Sequence, residues 1–527
     1  MHDPYHSRRD FMKRVGLGVA ATAAVASSSS RSRAADEPRG ALIVDPRPKY
    51  DLSPGLYMQF MEPLGTTDGS VSAGWDYMHD RWRPDLIDVT ARLAPPIVRW
   101  GGALAGYYRW REGVGPRETR VPMHNLVWGG VEPNQVGTRE FVDFCRAVGA
   151  DPLMCVNFES DGRPGWARNE KGEIRSGDAD EAADWVSYCN DPDHAERHRH
   201  GCPDSLTIRL WQIGNETSYL KDGWSIQTGA EKTIRFAKAM RKRDPDIKLI
   251  GWGDISWEDT RWDTNFWAPG MIELAGEYLD YIAFHHMFNP DAGEENSPLR
   301  DIEYRKDPAW TWERLMRARD VHEGRIRLMR ELTDKYDIPL AMTECHFALP
   351  GRDRCEVLST WAAGVANARL LNVHERHGDK LKIATAADFC GTRWQVNAVM
   401  IPVPAGQSYM MPVALVMCLY RHHTGEKAVD VVKAPDDLDV TASRTGDRVF
   451  LHVVNTNRTR STTTELAVRE MGIVAGRAFE MAGDPEYEVI ETEPDRVQVV
   501  EKDVPADGRW TFPAASVTAV ELDVQQT

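Results

Sequence analysis

The sequence predicts a (β/α)8 barrel followed by an all-β sandwich, on three observations. Eight short apolar runs recur between residues 56 and 386, each separated from the next by a longer amphipathic stretch. After His423 the pattern changes, and apolar residues fall at every second position. At 527 residues the chain is also long enough for one large barrel with a smaller module attached.

Residues 1–34 read as a targeting segment and are set apart from the fold. Arg8-Arg9 followed by Phe11, Met12 and Lys13 fits a twin-arginine export signal. The Ala/Gly-rich run from Val15 to Ala26 is too short to span a bilayer, and Ser32-Arg33-Ala34 has the small-x-small form of a cleavage site. The expectation is export, already folded, to a periplasm or beyond, with no membrane association once the signal is removed. In residues 35–54 the apolar run Ala41–Val44 is expected to add a strand to the sandwich. The barrel is placed at residues 55–424, with strands at 56–60, 97–100, 153–157, 208–213, 248–252, 281–285, 340–343 and 382–386. Between them, a helix begins at Thr138, and another runs from Ala230 to Arg243 with Ile234, Ala237 and Met240 on one face. Residues 425–527 form the β module. There Leu438, Val440 and Ala442 alternate, as do Val449, Leu451 and Val453, across the turn Thr445-Gly446-Asp447. Val520, Leu522 and Val524 alternate again, and the simplest arrangement is an antiparallel sandwich.

Charge narrows the partners. The formal net charge is −16, from 64 basic and 80 acidic residues, which argues against nucleic acid. Eight cysteines lie without CxxC spacing, so a zinc site is disfavoured; Cys189 with Cys202 is the first pair to consider for a disulfide. His194, His198 and His200 fall in a polar loop and read as solvated rather than as metal ligands. The glycine-rich stretch Gly101–Gly106 lacks the Lys-Ser/Thr of a phosphate-binding loop. Most of the 18 tryptophans read as packing, but Trp257, Trp262 and Trp267 follow the fifth strand and offer platforms on which sugar rings stack.

The chemistry lies at strand ends. Glu216, in "WQIGNET", falls just past the fourth strand and Glu344, in "AMTECHF", just past the seventh. Barrel enzymes work at the C-terminal ends of their strands. Two carboxyls meeting there suit cleavage of a glycosidic bond, one protonating the leaving oxygen and the other attacking the anomeric carbon. A separation of about 5–5.5 Å would imply a covalent intermediate and retained configuration. A single Glu is more often a surface or salt-bridged residue; two at strand ends are a pattern.

These motifs resemble clan A of the retaining glycoside hydrolases. More narrowly, "VRWGGALAGYYRWREGVGPRETR" (98–120), "EPNQVGTREFVDFCRAVGADPLMCVN" (132–157), "EAADWVSYCN" (181–190), "WQIGNE" and "AKAMRKRDPDIKLIGWG" (237–253) resemble glycoside hydrolase family 51, mainly α-L-arabinofuranosidases. The resemblance covers nearly all of the chain beyond residue 34, more weakly in "SVTAVEL" near its end. It implies Glu216 as acid/base, Glu344 as nucleophile and Asn215 as partner of the hydroxyl beside the anomeric carbon. It also implies Glu62 as a substrate-binding residue, Arg99 as a brace for the carboxylates and His285 as a neighbour of the acid/base. A scaffold ion pair for Arg99 and a satisfied core histidine for His285 are the alternative readings. No metal or cofactor is implied, and homo-oligomerisation follows only by analogy.

The departures concentrate around the sugar. Ala103 stands where the family usually has Asn, Glu62-Pro63-Leu64-Gly65 where it reads "EHLG", and Met287 where it has Tyr. Cys345 and Ala348 replace aromatic residues, and Trp394 stands where a Gln would bind the furanose. Loss of several buried hydrogen bonds implies altered sugar discrimination. The expected function is therefore an exported retaining glycosidase, with α-L-arabinofuranosides as the leading substrate. The same machinery on a β-glucan, a xyloside or another furanoside is the first alternative. A carbohydrate-binding protein without turnover is the second, disfavoured by the intact pair of Glu216 and Glu344.

Overall fold

Parallel strands Gln59–Met61, Ile97–Trp100, Asp151–Val156, Leu210–Ile213, Lys248–Trp252, Tyr281–Phe288 and Leu340–Phe347 pair in chain order. The computed structural model describes residues 40–61, 70–124, 130–163, 168–169, 171–219, 224–254, 267–351 and 354–526. Residues 1–34, Glu62, Trp257 and Trp262 lie outside the described residues. The eighth strand comes in two pieces. Leu381–Ala384 pairs with the seventh strand and Asp388–Gly391 with the first, closing the ring. The Met58 amide reinforces the seam by donating to the Ala384 carbonyl at 2.9 Å.

Two boundaries differ from the sequence expectation. Leu56 and Tyr57 belong to a 3-10 turn, Pro54–Tyr57, and not to the first strand. Pro54 presets the helical φ and the Ser53 hydroxyl accepts from the Gly55 amide, so the chain coils once before it extends. The seventh strand runs on to Phe347, which puts Glu344 inside it, because the sixth strand continues to Phe288 and keeps pairing.

Helices fill the outside. Thr138–Val148 turns its apolar face to the strands and ends at Gly149 in the left-handed region. Ile226–Arg243 starts earlier than its apolar stripe because Ser225 caps it, accepting from the Thr228 amide. The long connection between the sixth and seventh strands carries Pro308–Met316 and Ala318–Thr333. Trp361–Arg376 precedes the eighth strand and is buried along most of its length.

The β module is one nine-stranded sheet folded over its own core of Leu42, Val44, Val440, Leu451, Val453, Leu466 and Leu522. It is not purely antiparallel. Leu42–Asp51 pairs antiparallel with Lys427–Lys433 but parallel with Thr462–Val468, because the chain enters this sheet before the barrel and returns only after it. Cys189 and Cys202 are buried free thiols, so the disulfide considered from the sequence is not formed.

Candidate active site

Gly214 ends the fourth strand at φ +75°, where a Cβ would lie 2.6 Å from Phe158 Cδ1 and 2.7 Å from Asp161 Oδ1. Only glycine passes that point without strain. Glu216 then takes the left-handed region itself, at φ +55°, a conformation that costs a non-glycine residue free energy and persists only where its surroundings enforce it. Three hydrogen bonds enforce it here. The Asn215 amide donates to Asp161 Oδ1 at 2.9 Å, Arg163 Nη2 donates to the Glu216 carbonyl at 2.9 Å, and the Tyr219 amide donates to that carbonyl at 3.2 Å.

Glu344 reaches the same place from the seventh strand. The register slips between the pairs Phe284–Met342 and His285–Glu344, leaving Thr343 as the extra residue of a bulge. A bulge re-aims the side chains after it. Here it brings Glu344 opposite His285 and sets Thr343 Oγ1 3.0 Å from His285 Nε2. The other ring nitrogen, Nδ1, lies 3.0 Å from Glu216 Oε1 and 3.5 Å from Glu344 Oε2. Glu216, His285 and Glu344 each offer one atom to a group whose members all lie within 4.8 Å of one another. That spacing suits a direct attack by one carboxylate, since the pair leaves no gap of about 6.5–9.5 Å for an intervening water.

Arg99, fully buried, ties the assembly together from the second strand. It donates through Nη1 to Glu344 Oε1 at 2.7 Å, through Nη2 to Asn215 Oδ1 at 2.8 Å and through Nε to Gln212 Oε1 at 3.0 Å. Asn215 Nδ2 is then a buried donor with no acceptor among the described residues. His285 is held from behind. Its amide donates to Asp254 Oδ2 at 3.1 Å, Asp254 is paired with Arg325 and Tyr219, and the Trp252 ring meets the imidazole edge-on.

The electrostatics differ around each group. Burial raises the Glu216 pKa above the ordinary glutamate value, while Arg163 and Arg99 pull it down. Burial lowers His285 to about 4, against an opposing pull from Glu344, so the imidazole is neutral near pH 7. Burial also pushes Asp161 up to about 7, with Arg163 and the Asn215 amide acting the other way.

The structure thus brings together Glu216, Glu344, Arg99, Asn215 and His285. Trp394 is half-buried shortly after Asp388–Gly391 and packs against the barrel core. Trp267 is buried at the start of helix Trp267–Ala275, a packing residue rather than an open platform. Cys345 faces outward, away from Glu344, with its thiol 3.9 Å from His322. His194, His198 and His200 are committed to a helix cap, the Pro192 carbonyl and the Tyr188 hydroxyl respectively. Sequence reasoning missed Asp161 and Arg163, which come from an irregular loop, and Thr343, whose role depends on the bulge. It also missed His346, which lies 3.7 Å from Asp388 across the mouth.

Comparisons with known proteins point the same way. Residues 89–305 match a family model described as "Alpha-L-arabinofuranosidase 1 domain", and residues 349–516 one described as "Alpha-L-arabinofuranosidase C-terminal domain". The intracellular exo-α-(1→5)-L-arabinofuranosidase of Acetivibrio thermocellus is 32% identical over 250 residues, covering 44% of this chain and 45% of that protein. The match thus spans less than half the length of that relative. An α-L-arabinofuranosidase structure from Thermotoga maritima, solved as an arabinose complex, superposes with a TM-score of 0.72 at 22% identity, over 92% of this chain and 99% of that one. A GH51 α-L-arabinofuranosidase from Thermotoga petrophila RKU-1 gives 0.73 at 21% identity, over 92% and 99%. At these identities the two structures establish the fold.

Proposed function

Because this chain belongs to the α-L-arabinofuranosidase family, glycoside hydrolase family 51, we infer that it hydrolyses glycosidic bonds with retention, on α-L-arabinofuranosides. The observation that carries the reading is the pair Glu216 and Glu344, bridged by His285 and braced by Arg99. In the first step Glu344 attacks the anomeric carbon as the Glu216 proton passes to the leaving oxygen, giving a glycosyl ester on Glu344. In the second, Glu216 takes a proton from water, which attacks the same carbon and releases Glu344. Arg99 supplies positive charge beside the attacking carboxylate, and Asn215 Nδ2 donates to the hydroxyl next to the reacting carbon.

The test is a panel of aryl glycosides and polysaccharides run on wild type, Glu216→Ala and Glu344→Ala. Arabinofuranoside hydrolysis should fall by about 10²–10⁴-fold without the acid/base. It should fall at least as far without the nucleophile, and activity surviving both substitutions rejects the site. One set of observations favours a second substrate. Ala103, Met287 and Trp394 replace family sugar-binding residues, and Cys345 faces away from the site. Activity confined to another furanoside, a xyloside or a β-glucan would keep the machinery and change the sugar.

Export through the twin-arginine route is part of the same proposal and rests on Arg8-Arg9 and the residues after them. Replacing both arginines with lysine should leave the activity in the cytoplasmic fraction of an expressing bacterium. Unchanged export of that variant would reject the route.

A further inference from the structure

His285 and Glu344 point into the barrel, so the residues that follow them, His286 and Cys345, point out. These two are register partners on adjacent strands. Helix Ala318–Thr333 packs over them and places His322, fully buried, against both. His286 Nδ1 lies 3.0 Å from His322 Nδ1, and Cys345 Sγ lies 3.9 Å from the same nitrogen. All three donor atoms fall within 4.8 Å of one another.

That geometry is close to three corners of a coordination tetrahedron. Bonds of about 2.0–2.1 Å to nitrogen and 2.3 Å to sulfur put neighbouring ligand atoms about 3.3–3.6 Å apart, between the two distances seen here. The outer partner is also in place. His322 Nε2 lies 2.8 Å from His374 Nε2, so a proton on Nε2 can be donated there while Nδ1 keeps its lone pair for a cation. One thiol and two imidazoles form a donor set that selects soft or borderline ions.

We propose that His286, His322 and Cys345 bind a thiophilic d10 cation, Zn²⁺ or Cu⁺, on the outer wall of the barrel. Binding releases the Cys345 thiol proton to solvent and forms the sulfur–metal bond. The ion joins the sixth and seventh strands to helix Ala318–Thr333, one residue behind His285 and Glu344. Sequence spacing does not disclose the site, because its ligands come from three separate elements.

The experiment uses full-length, tag-free enzyme freed of metal by dialysis. It is titrated separately with Zn²⁺, with Cu⁺ kept reduced by ascorbate, and with Co²⁺ as a spectroscopic probe. One equivalent of Zn²⁺ or Cu⁺ should bind by elemental analysis. Co²⁺ should give a thiolate-to-metal charge-transfer band. Cys345→Ser, nearly isosteric, should abolish the band and weaken binding at least 10-fold with circular dichroism unchanged, and His322→Gln should weaken binding likewise. The proposal is overturned if folded wild type binds neither ion stoichiometrically, leaving a hydrogen-bonded row of imidazoles. It is equally overturned if the band survives Cys345→Ser, or if binding survives that change and disappears in Glu344→Gln. The last result would put the ion on Glu216, His285 and Glu344.

Discussion

Glu216 needs its proton for the first step of the proposed reaction, and burial and two arginines set how tightly it holds it. Burial raises its pKa, while Arg163, 3.7 Å from Oε2, and Arg99 lower it. Activity should therefore fall on the alkaline side as pH rises through the Glu216 pKa. Arg163→Gln removes a cation and should move that limb of kcat/KM upward by about one pH unit. An unmoved limb in a pH–rate profile would assign the limb to another group. His285 cannot replace Arg163 as a charge, because its pKa of about 4 keeps it neutral across the working range. Glu216 was legible in the sequence because a carboxylate directly follows a strand. Arg163 and Asp161 were not, since the irregular turn Glu159–Gly162 that presents them has neither helical nor strand periodicity.

At the scale of elements, two local distortions make the site. One is the left-handed passage Gly214–Glu216 and the other the bulge at Thr343. Gly214→Ala would force a Cβ against Phe158 and Asp161 at a φ that alanine resists. It should cost about 1–3 kcal/mol of stability in chemical denaturation. It should also lower kcat more than it raises KM, because Glu216 moves with the turn. Strand order and the approximate positions of the eight strands could be read from apolar runs alone. The bulge could not, because it arises from the pairing of residues 58 and 59 positions apart in sequence, Phe284 with Met342 and His285 with Glu344. The first strand was placed too early for a related reason: Leu56 and Tyr57 are apolar in either conformation, and Pro54 with Ser53 decided between them.

At the scale of the whole molecule, barrel and β module share one buried polar seam. Asp439 of the module accepts from Arg369, Arg376 and Asn372 on the last long barrel helix. Beside it, Glu375 accepts from Tyr57, Thr441 and His452. Both carboxyls lie below their ordinary pKa: opposed by burial, Asp439 is drawn down by its two arginines, and Glu375 by His452 and the hydroxyls. A depressed carboxyl pKa stabilises the fold above the unfolded value and loses that contribution as pH falls through the folded one. The seam should therefore weaken below about pH 4, the ordinary carboxylate range. Asp439→Ala, which strands two arginines, should cost about 3–5 kcal/mol in denaturant unfolding at pH 7 and less in acid. The sequence by itself determined the barrel, the later β module and Glu216 just past the fourth strand, because periodicity and strand-end position are local properties; Glu344 lies inside the seventh strand. Only the tertiary structure decided that Arg99, Asn215 and His285 close on those glutamates, and that Leu42–Asp51 pairs parallel with Thr462–Val468. Those outcomes depend on strand pairing and burial between distant segments, which no local pattern encodes.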